Sequence, residues 1–365
     1  MAETTVAYKC PNCEAPLSFK PGHDKVTCEY CGTELEVSVV EDLYQERQER
    51  AAKAREAQET KWESESSEFT SEEAEYMKKF TCSACGAEIV TDGNTMATEC
   101  CYCGNPTMLP SRFDGMLKPD LMIPFKKTKD EAVAALKKFY EGKILLPAAF
   151  TKNNRVKDIQ PMYVPFWFFD ASVTANATFK AESDDVTETE DEIITRTSFY
   201  ECEREGTMQF ERIPVDGSEK MDDEYMESIE PFDYSELVPF SASYLTGYLA
   251  DKYDVDSEAA TPRADERIEN SAVSALKKTV TGYDRCSENE HYVMKDEGSV
   301  SYAMAPVWIL TTAFEGKPYT FMMNGQTGKI VGSLPYDKTK AWLYPLIASV
   351  VLLPVFYFIA GWLLK

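Results

Sequence analysis

The chain has 365 residues, of which 44% are hydrophobic, which is enough for a sizeable core with small appended modules. The formal net charge of −24 disfavours binding to phosphate backbones or anionic lipid except through a local basic patch, and the sequence contains no such patch. Residues 1–9 lack the apolar core of a secretory signal. We therefore expect a reducing compartment, where paired cysteines bind metal rather than form disulfides.

Residues 1–38 predict a small zinc ribbon. The segment contains two CxxC pairs, formed by Cys10, Cys13, Cys28 and Cys31. A CxxC turn directs two thiolates at one ion, and two such turns on facing hairpins complete a tetrahedral site. Residues 17–19 and 25–27 predict the strands of a short hairpin on either side of a Pro-Gly turn.

Residues 39–79 predict a charged helical linker. The stretch 39–60 is rich in Glu, Arg, Gln and Ala and has neither Gly nor Pro, which favours a helix with a thin apolar stripe. The stretch 61–71 is rich in Glu and Ser and predicts a flexible segment. Residues 72–79 predict a short helix that leads into the next module.

Residues 80–110 predict a second zinc ribbon with the spacing of the first. Its ligands are Cys82, Cys85, Cys100 and Cys103, which repeat the first set at an offset of 72 residues, with 14 residues between the pairs in both modules. The offset selects Cys100 over its neighbour Cys101, which is predicted to be a spare thiol. This spacing favours Zn²⁺ in two structural sites, with a single iron or an iron–sulfur cluster as the alternative.

Residues 111–337 predict an acidic α+β domain with mainly antiparallel strands. Helices are predicted at 129–141, 221–229 and 257–280. Strands are predicted at 162–169, at 171–180 as its continuation or partner, as a pair within 193–213, and at 292–294, 300–312, 319–323 and 329–332. The acidic stretch 182–192 predicts a loop, and Asn-Gly-Gln-Thr-Gly at 324–328 predicts a turn.

Residues 338–365 predict a C-terminal transmembrane anchor. From Trp342 to Leu364 the chain has 23 residues without a charge, with lysines outside both ends and aromatic residues near them. A buried core helix is the alternative interpretation. The predicted fold class is α+β, with two small N-terminal zinc ribbons, a mixed antiparallel α+β domain and one C-terminal transmembrane helix. The predicted location is the cell membrane, crossed once, with the bulk of the chain in the cytoplasm.

The sequence contains no recognisable catalytic constellation, and we expect a protein that is not an enzyme. Neither His23 nor His291 has a nearby serine or cysteine in a nucleophile motif. Neither a Walker A nor a GxGxxG pattern is present. Cys202 and Cys286 are isolated in sequence and are predicted to be free cysteines.

Several segments together resemble one family of bacterial proteins. They are the cysteine pattern of the first ribbon, 163–170 (Tyr-Val-Pro-Phe-Trp-Phe-Phe-Asp), 306–308 (Pro-Val-Trp), 321–329 (Phe-Met-Met-Asn-Gly-Gln-Thr-Gly-Lys) and the C-terminal span. They resemble TFIIB-type zinc-ribbon membrane proteins, which are often mislabelled as primosomal helicases. The resemblance implies an accessory membrane protein of the kind found with SPFH (flotillin-like) and phage-shock-type proteins. A helicase function is disfavoured, because the sequence has neither a phosphate-cradling loop nor a basic patch.

The leading functional hypothesis is a tail-anchored cytoplasmic adaptor that docks partner proteins at the membrane. Its expected partners are membrane-associated proteins, with membrane lipid contacted by the C-terminal helix, and nucleic acid is not expected. Two other hypotheses stay open. One is a nucleic-acid-binding zinc-ribbon protein, and the other is a thiol or zinc sensor in which Cys101 is the reactive thiol.

Overall fold

The fold is described from a computed structural model. It covers residues 25–40, 62–64, 66–75, 77–92, 95–97, 99–111, 117–153, 156–189 and 192–363, together with Cys10, Ala15, Leu17, Asp42, Leu43, Gln45 and Glu49. The α+β class predicted from the sequence is confirmed within these residues. Much of the helix predicted at 39–60 lies outside them, as does His23.

The N-terminal third consists of short elements. In chain order they are β1 (Lys25–Thr27), β2 (Glu34–Glu36), α1 (37–40), β3 (Glu63–Ser64), α2 (Ser71–Glu75), β4 (Met77–Cys82), β5 (Glu88–Asp92), β6 (Met108–Ser111) and β7 (Leu121–Met122).

The remainder of the chain contains the long strands and helices together with several short elements. They are α3 (Lys129–Tyr140), α4 (Ala148–Asn153), β8 (Gln160–Glu188), β9 (Ile193–Asp216), α5 (Asp223–Ile229), β10 (Val238–Pro239), β11 (Leu249–Asp251), α6 (Ser257–Lys278), β12 (Arg285–Phe314), β13 (Lys317–Asn324), β14 (Ile330–Gly332) and α7 (Lys338–Leu363). The three helices predicted within 129–280 are confirmed, with ends that differ by a few residues.

Most of the described strands belong to a large mixed sheet. Its strand order is β10-β7-β12-β8-β11-β5-β4-β6, with β13 and β3 on β12, β14 on β13 and β9 on β8. The hairpin pairs are antiparallel, whereas β11–β8, β12–β7 and β12–β3 are parallel. These parallel pairings join distant parts of the chain, so the local strand pattern, which predicted mainly antiparallel strands, did not identify them. β1 and β2 form a separate two-stranded antiparallel sheet.

The loop predicted at 182–192 is wrong for most of that range. β8 continues through Glu188, and the chain enters β9 shortly afterwards. Two of the acidic residues that suggested a solvated loop are paired across strands, since Arg285 lies 2.6 Å from Glu182 and 2.8 Å from Asp184. Charge neutralisation of this kind cannot be recognised from the local composition.

Two further predicted breaks are absent. β9 is continuous through Gly206, where a turn between two strands was predicted. A Cβ on this glycine would lie 3.7 Å from Leu276, so the position is one of close packing beneath α6 rather than a turn. β12 likewise joins the two strands predicted at 292–294 and 300–312, and β3 pairs with it across Ser299 and Val300.

The segment predicted to be a flexible linker is partly ordered. Within 61–71, Trp62 packs edge-on against Phe169 with ring centroids 4.9 Å apart, and the Lys295 ammonium lies 4.1 Å from the Trp62 ring centroid. The helix predicted at 72–79 is confirmed only in part, because α2 ends at Glu75 and β4 follows at once.

One compact unit comprises Met1–Ser64, Phe168–Val215 and Thr261–Val300. Small side chains alternate along β8 and are covered by apolar residues of α6; the buried cluster contains Ala171, Val173, Ala175, Ala177, Phe179, Ala181, Cys202, Ile268, Ala272, Val273 and Leu276. Two ion pairs connect α6 with β12: Asp265 lies 3.5 Å from Lys295, and Glu269 lies 2.5 Å from His291. Alternating small residues thus provide the flat surface that a helix needs.

The second unit comprises Glu65–Trp167, Asp216–Ala260 and Ser301–Lys365. Its core combines α3 and α4 with the β12–β13 hairpin and contains Ala132, Leu136, Leu146, Phe150, Ile159, Trp308, Leu310, Phe321 and Met323. α3 begins with a capping box, in which Thr128 and Glu131 bind each other's backbone N–H groups. The apolar spacing that predicted this helix is confirmed, because Ala132 and Leu136 are buried in the core.

The helix predicted in the C-terminal segment is present in the described residues, since α7 runs from Lys338 to Leu363 with Pro345 and Pro354 inside it. In the part of the chain that the structure describes, we find no helix with both the length and the apolar character that crossing a membrane requires.

Candidate metal centres

Four cysteines of the second ribbon converge on one point. The sulfur atoms of Cys82, Cys85, Cys100 and Cys103 all lie within 4.8 Å of one another. The Sγ atoms of Cys82 and Cys103 are 3.6 Å apart, and those of Cys85 and Cys100 are 3.7 Å apart. A tetrahedral zinc ion with Zn–S bonds of about 2.3 Å would hold its sulfur ligands about 3.8 Å apart. The donor set and its size therefore fit a tetrahedral metal ion.

The same distances argue against disulfides. A disulfide requires its sulfur atoms to lie about 2.05 Å apart, far less than the separations seen here. All four cysteines are free thiols. The structure therefore places the residues predicted as ligands in a metal-binding arrangement rather than a cross-linking one.

Backbone hydrogen bonds shape each turn of the second centre in the same way. The Cys82 N–H donates to the Ala87 carbonyl at 2.9 Å, and the Gly86 N–H donates to the Cys82 carbonyl at 3.0 Å. The turn at Cys100 repeats this pattern, with Gly104 in the place of Gly86. Both glycines have positive φ, 74° and 69°, a conformation that strains any residue with a Cβ. The glycine after the second cysteine of each pair is therefore required by the turn.

Burial and backbone donors act in opposition on the thiols of this centre. Burial raises the pKa values of the Cys100 and Cys103 thiols. Burial acts in the same direction at Cys82, but the backbone N–H groups of Cys85 and Ala84 donate to its sulfur and lower the pKa of that thiol to about 6. The Cys82 sulfur is thus prepared as a thiolate at neutral pH, and a metal ion must displace protons from the Cys100 and Cys103 thiols.

The first centre repeats this geometry in the part that the structure describes. Cys10, Cys28 and Cys31 lie within ligand distance of one another, with 3.6 Å between the sulfur atoms of Cys10 and Cys31. The fourth predicted ligand, Cys13, lies outside the described residues. Gly32 has φ 73°, and its N–H donates to the Cys28 carbonyl as in the second ribbon. The three thiols are positioned to bind a metal ion.

Cys101 is buried, with 4% of its surface exposed. Its Sγ donates to the Met162 sulfur at 3.4 Å, and its carbonyl accepts a hydrogen bond from the Thr311 hydroxyl at 3.0 Å. Burial raises the pKa of the Cys101 thiol well above its ordinary value. A thiol that is both protonated and inaccessible reacts slowly with oxidants, so its environment favours a packing role over that of a reactive sensor.

Among the described residues, neither cysteine cluster includes Cys202, Cys286 or His291. Cys202 is buried in the cluster beneath α6, and Cys286 packs against the same cluster. His291 lies between two carboxylates, 2.5 Å from Glu269 and 2.6 Å from Glu288. Partial burial opposes a charge on the imidazole, but the hydrogen bonds to these carboxylates raise the pKa of His291.

The turn at 324–328 has a structural role. Asn324 is fully buried. Its side-chain Nδ2 donates to the Ile229 carbonyl at 3.0 Å, and its side-chain Oδ1 accepts from the backbone N–H groups of Gln326 and Thr327. A Cβ on Gly325 would lie 2.6 Å from the Phe125 ring. The polar residues of this motif therefore tie β13 to α5 and the segment after it.

A buried polar pair was missed by the sequence analysis. The Ser218 hydroxyl donates to Asp251 Oδ2 at 2.7 Å, and both side chains are buried. Burial raises the pKa of Asp251 to about 7. The phenol of Tyr102, which lies between two cysteine ligands, is buried close to this carboxyl. No motif marks either partner, because Ser218 follows β9, Asp251 ends β11, and the two meet only in the folded chain.

Comparison with known proteins connects the chain with one relative. None of the known protein-family models matches it, and no solved structure matches it either. Over 343 residues it is 34% identical to the uncharacterized protein YdjG of Bacillus subtilis strain 168. The match covers 92% of this chain and 93% of YdjG. Since the similarity extends over nearly all of both proteins, the chain belongs to the same family as YdjG.

Proposed function

We propose that the protein is a membrane-attached adaptor, in which two zinc ribbons and an acidic α+β body dock partner proteins at the cytoplasmic face of the membrane. The observation that carries the proposal is the surface of α7. Every residue from 342 to 350 is exposed, with Trp342 at 83%, and Leu353 further along is 68% exposed. An apolar helix surface without a polar face needs lipid or protein to cover it.

The base of α7 supports this role because it is fixed to the second unit. The Asp337 N–H donates to the Leu145 carbonyl at 2.8 Å, and the Lys340 ammonium donates to the Leu146 carbonyl at 2.8 Å. Asp337 also accepts from the N–H of Thr339 at 2.9 Å and so caps the helix. The apolar surface therefore begins directly at a rigid attachment point.

The proposal includes zinc in both ribbons. At the second centre all four donors are sulfur, and a tetrahedral ion bound by them has no open position for water, which favours a structural role. Cys13 is proposed as the fourth ligand of the first centre, in line with the repeat. When bound, the metal would supply folding free energy to modules that have few buried apolar side chains.

Membrane attachment is tested by flotation with phosphatidylcholine vesicles. We expect the full chain to float with the vesicles and to resist extraction by alkaline carbonate, whereas a variant that ends at residue 337 should remain in the soluble fraction. In a sharper pair, Val350→Arg with Leu353→Arg should abolish flotation, because each charge costs about 3 kcal/mol at the centre of a membrane helix. Val350→Ala with Leu353→Ala is the matched control and should still float. A full chain that stays soluble would refute the attachment.

The proposed partners are membrane-associated proteins, with SPFH-type and phage-shock-type proteins suggested by the family resemblance. Their test is co-purification from membranes solubilised in mild detergent, with the full chain and the variant ending at residue 337 as baits. We expect a protein of one of these classes with the full chain only. If the recovered bait still carries both zinc ions but neither class of protein co-purifies with it, this part of the proposal is wrong.

A further inference from the structure

Two segments that are distant in the chain meet where α7 begins. They are residues 137–146, which comprise the end of α3 and the loop after it, and residues 336–342, which lead into α7. The Leu145 carbonyl accepts from the Asp337 N–H, and the Leu146 carbonyl accepts from the Lys340 ammonium, both at 2.8 Å. The exposed residues of these two segments form one surface, which we call the base surface.

The base surface is basic although the chain as a whole is acidic. Its two segments contain only two acidic residues, Glu141 and Asp337, and five lysines: Lys137, Lys138, Lys143, Lys338 and Lys340. Lys143 and Lys338 are exposed, as are both lysines in the last turn of α3. The Asp337 carboxylate is used in capping α7, where it accepts from the backbone N–H of Thr339. The fold thus assembles a local positive patch that the sequence does not show in any one segment.

Exposed apolar side chains accompany these lysines. Ile144 is 67% exposed and Tyr336 is 62% exposed, next to the exposed Trp342 of α7. The Lys143 ammonium lies 5.7 Å from the centroid of the Phe139 ring. Lysines combined with exposed aliphatic and aromatic side chains suit the membrane interface, where charged headgroups lie against the ends of the acyl chains.

The base surface also has the right depth for this interface. A helix rises about 1.5 Å per residue, so the level of residue 337 is about 7.5 Å from Trp342, where the uncharged part of α7 begins. The headgroup layer on each side of a bilayer is about 5–8 Å thick. The hydrogen bonds from Asp337 and Lys340 hold the loop 141–146 at this same level. With α7 inserted from Trp342 onward, the loop and its lysines would lie among the headgroups.

We propose that the base surface binds anionic phospholipid headgroups in the leaflet that α7 enters. The lysines contact the lipid phosphates, and Ile144 inserts between the headgroups. Two observations select lipid as the occupant: the local positive charge and the direct continuity of this surface with the apolar surface of α7. The inference deepens the proposed membrane attachment and rests on it.

The test uses the full chain reconstituted in phosphatidylcholine vesicles with a trace of lipid that has a pyrene-labelled acyl chain. The labelled lipid is either phosphatidylglycerol or phosphatidylcholine, and energy transfer from the tryptophans reports which of them lies beside the protein. We expect phosphatidylglycerol to be preferred by at least about fivefold, the effect of one lysine near an anionic surface. In about 1 M NaCl, where the screening length is about 3 Å, most of this preference should disappear.

Matched variants test the lysines themselves. Lys143→Gln with Lys338→Gln should reduce the preference for phosphatidylglycerol at least about threefold. Lys143→Arg with Lys338→Arg keeps both charges and should retain the preference. Equal transfer to the two labelled lipids, or an undiminished preference in the glutamine variant, would overturn the proposal for the base surface alone. A full chain that does not enter phosphatidylcholine vesicles would instead refute attachment through α7, and this inference with it.

The loop gives a second readout that does not depend on the tryptophans. Amide hydrogen exchange at residues 142–145 should be slower in bilayers with about one third phosphatidylglycerol than in pure phosphatidylcholine bilayers. Exchange in α5, which belongs to the same unit, is the control and should be equal in both bilayers. Equal exchange at 142–145 in the two bilayers would show that the loop does not contact anionic headgroups.

Discussion

The two cysteine modules share one turn geometry but are built into the protein in different ways. β1 and β2 of the first ribbon form a sheet of their own, with a small cluster of Cys10, Leu17, Val26, Cys28 and Val40. The strands of the second ribbon instead extend the large sheet, because β5 pairs with β11. The comparison teaches that the same metal-binding motif can stabilise only itself or can form part of a larger core.

The largest expected difference comes from removing one equivalent ligand in each module. Cys100→Ala should destabilise the second unit by more than about 4 kcal/mol, since it removes a metal ligand within a sheet that the whole unit shares. Cys28 has the same position in the repeat as Cys100. Cys28→Ala should change the free energy of unfolding of the second unit by less than about 0.5 kcal/mol. Urea unfolding followed by the fluorescence of the buried Trp167 and Trp308 measures both. Equal effects of the two substitutions would break the comparison.

The next effect concerns the buried carboxyl beside the second ribbon. The pKa of Asp251 is about 7 in the folded protein against an ordinary value of 3.8, so the folded state holds this proton more tightly than the unfolded state. Its contribution to stability is therefore complete below about pH 4 and is lost as the pH rises to 7. Asp251→Asn should stabilise the protein at pH 8 by about 2–4 kcal/mol, since one pKa unit corresponds to about 1.4 kcal/mol.

The pH profile provides the control for this substitution. The difference in urea midpoint between the Asp251→Asn variant and the parent should grow from pH 4 to pH 7 and then stay constant. In a Ser218→Ala background, the difference in urea midpoint between Asp251→Asn and Asp251 should still depend on pH, because the carboxyl itself remains buried. A constant difference between pH 4 and pH 8 would show that Asp251 does not titrate in this range.

A smaller effect is expected at the glycines with positive φ. Gly104→Ala should destabilise the second unit by about 1–2 kcal/mol, the cost of a left-handed conformation for a residue with a Cβ. Space is not the cause, since the nearest atom to that Cβ is 3.8 Å away. Gly32→Ala should reduce the free energy of metal binding to the first ribbon by a similar amount. It should not change the urea midpoint of the second unit. Competition with a coloured zinc chelator separates the two outcomes.

The smallest effect tests the contact between the second ribbon and β12. Thr311→Val removes the hydroxyl that donates to the Cys101 carbonyl and should cost about 1 kcal/mol, the usual net value of one hydrogen bond. Thr312→Val on the neighbouring residue is the control and should be nearly neutral. If both variants unfold at the same urea concentration as the parent, the ribbon does not depend on this contact.

The sequence predicted what is encoded locally. Cysteine spacing placed the ligands of the second centre together and separated Cys100 from Cys101, and the helical spacing of apolar residues predicted α3. Features that depend on distant partners were missed. At the acidic end of β8, Glu182 and Asp184 are paired with the distant Arg285, and Asp251 meets Ser218 only after the chain has folded.

The difference between the two ribbons is tested most directly by stepwise removal of metal from the full chain. The account predicts two zinc ions per chain that leave in separate steps as a chelator is added. The first should leave without a change in the fluorescence of Trp167 and Trp308, and the second should leave together with the tertiary structure around them. Fewer than two metal ions, or loss of both with the tryptophan environment unchanged, would contradict the claim that the second centre belongs to the core.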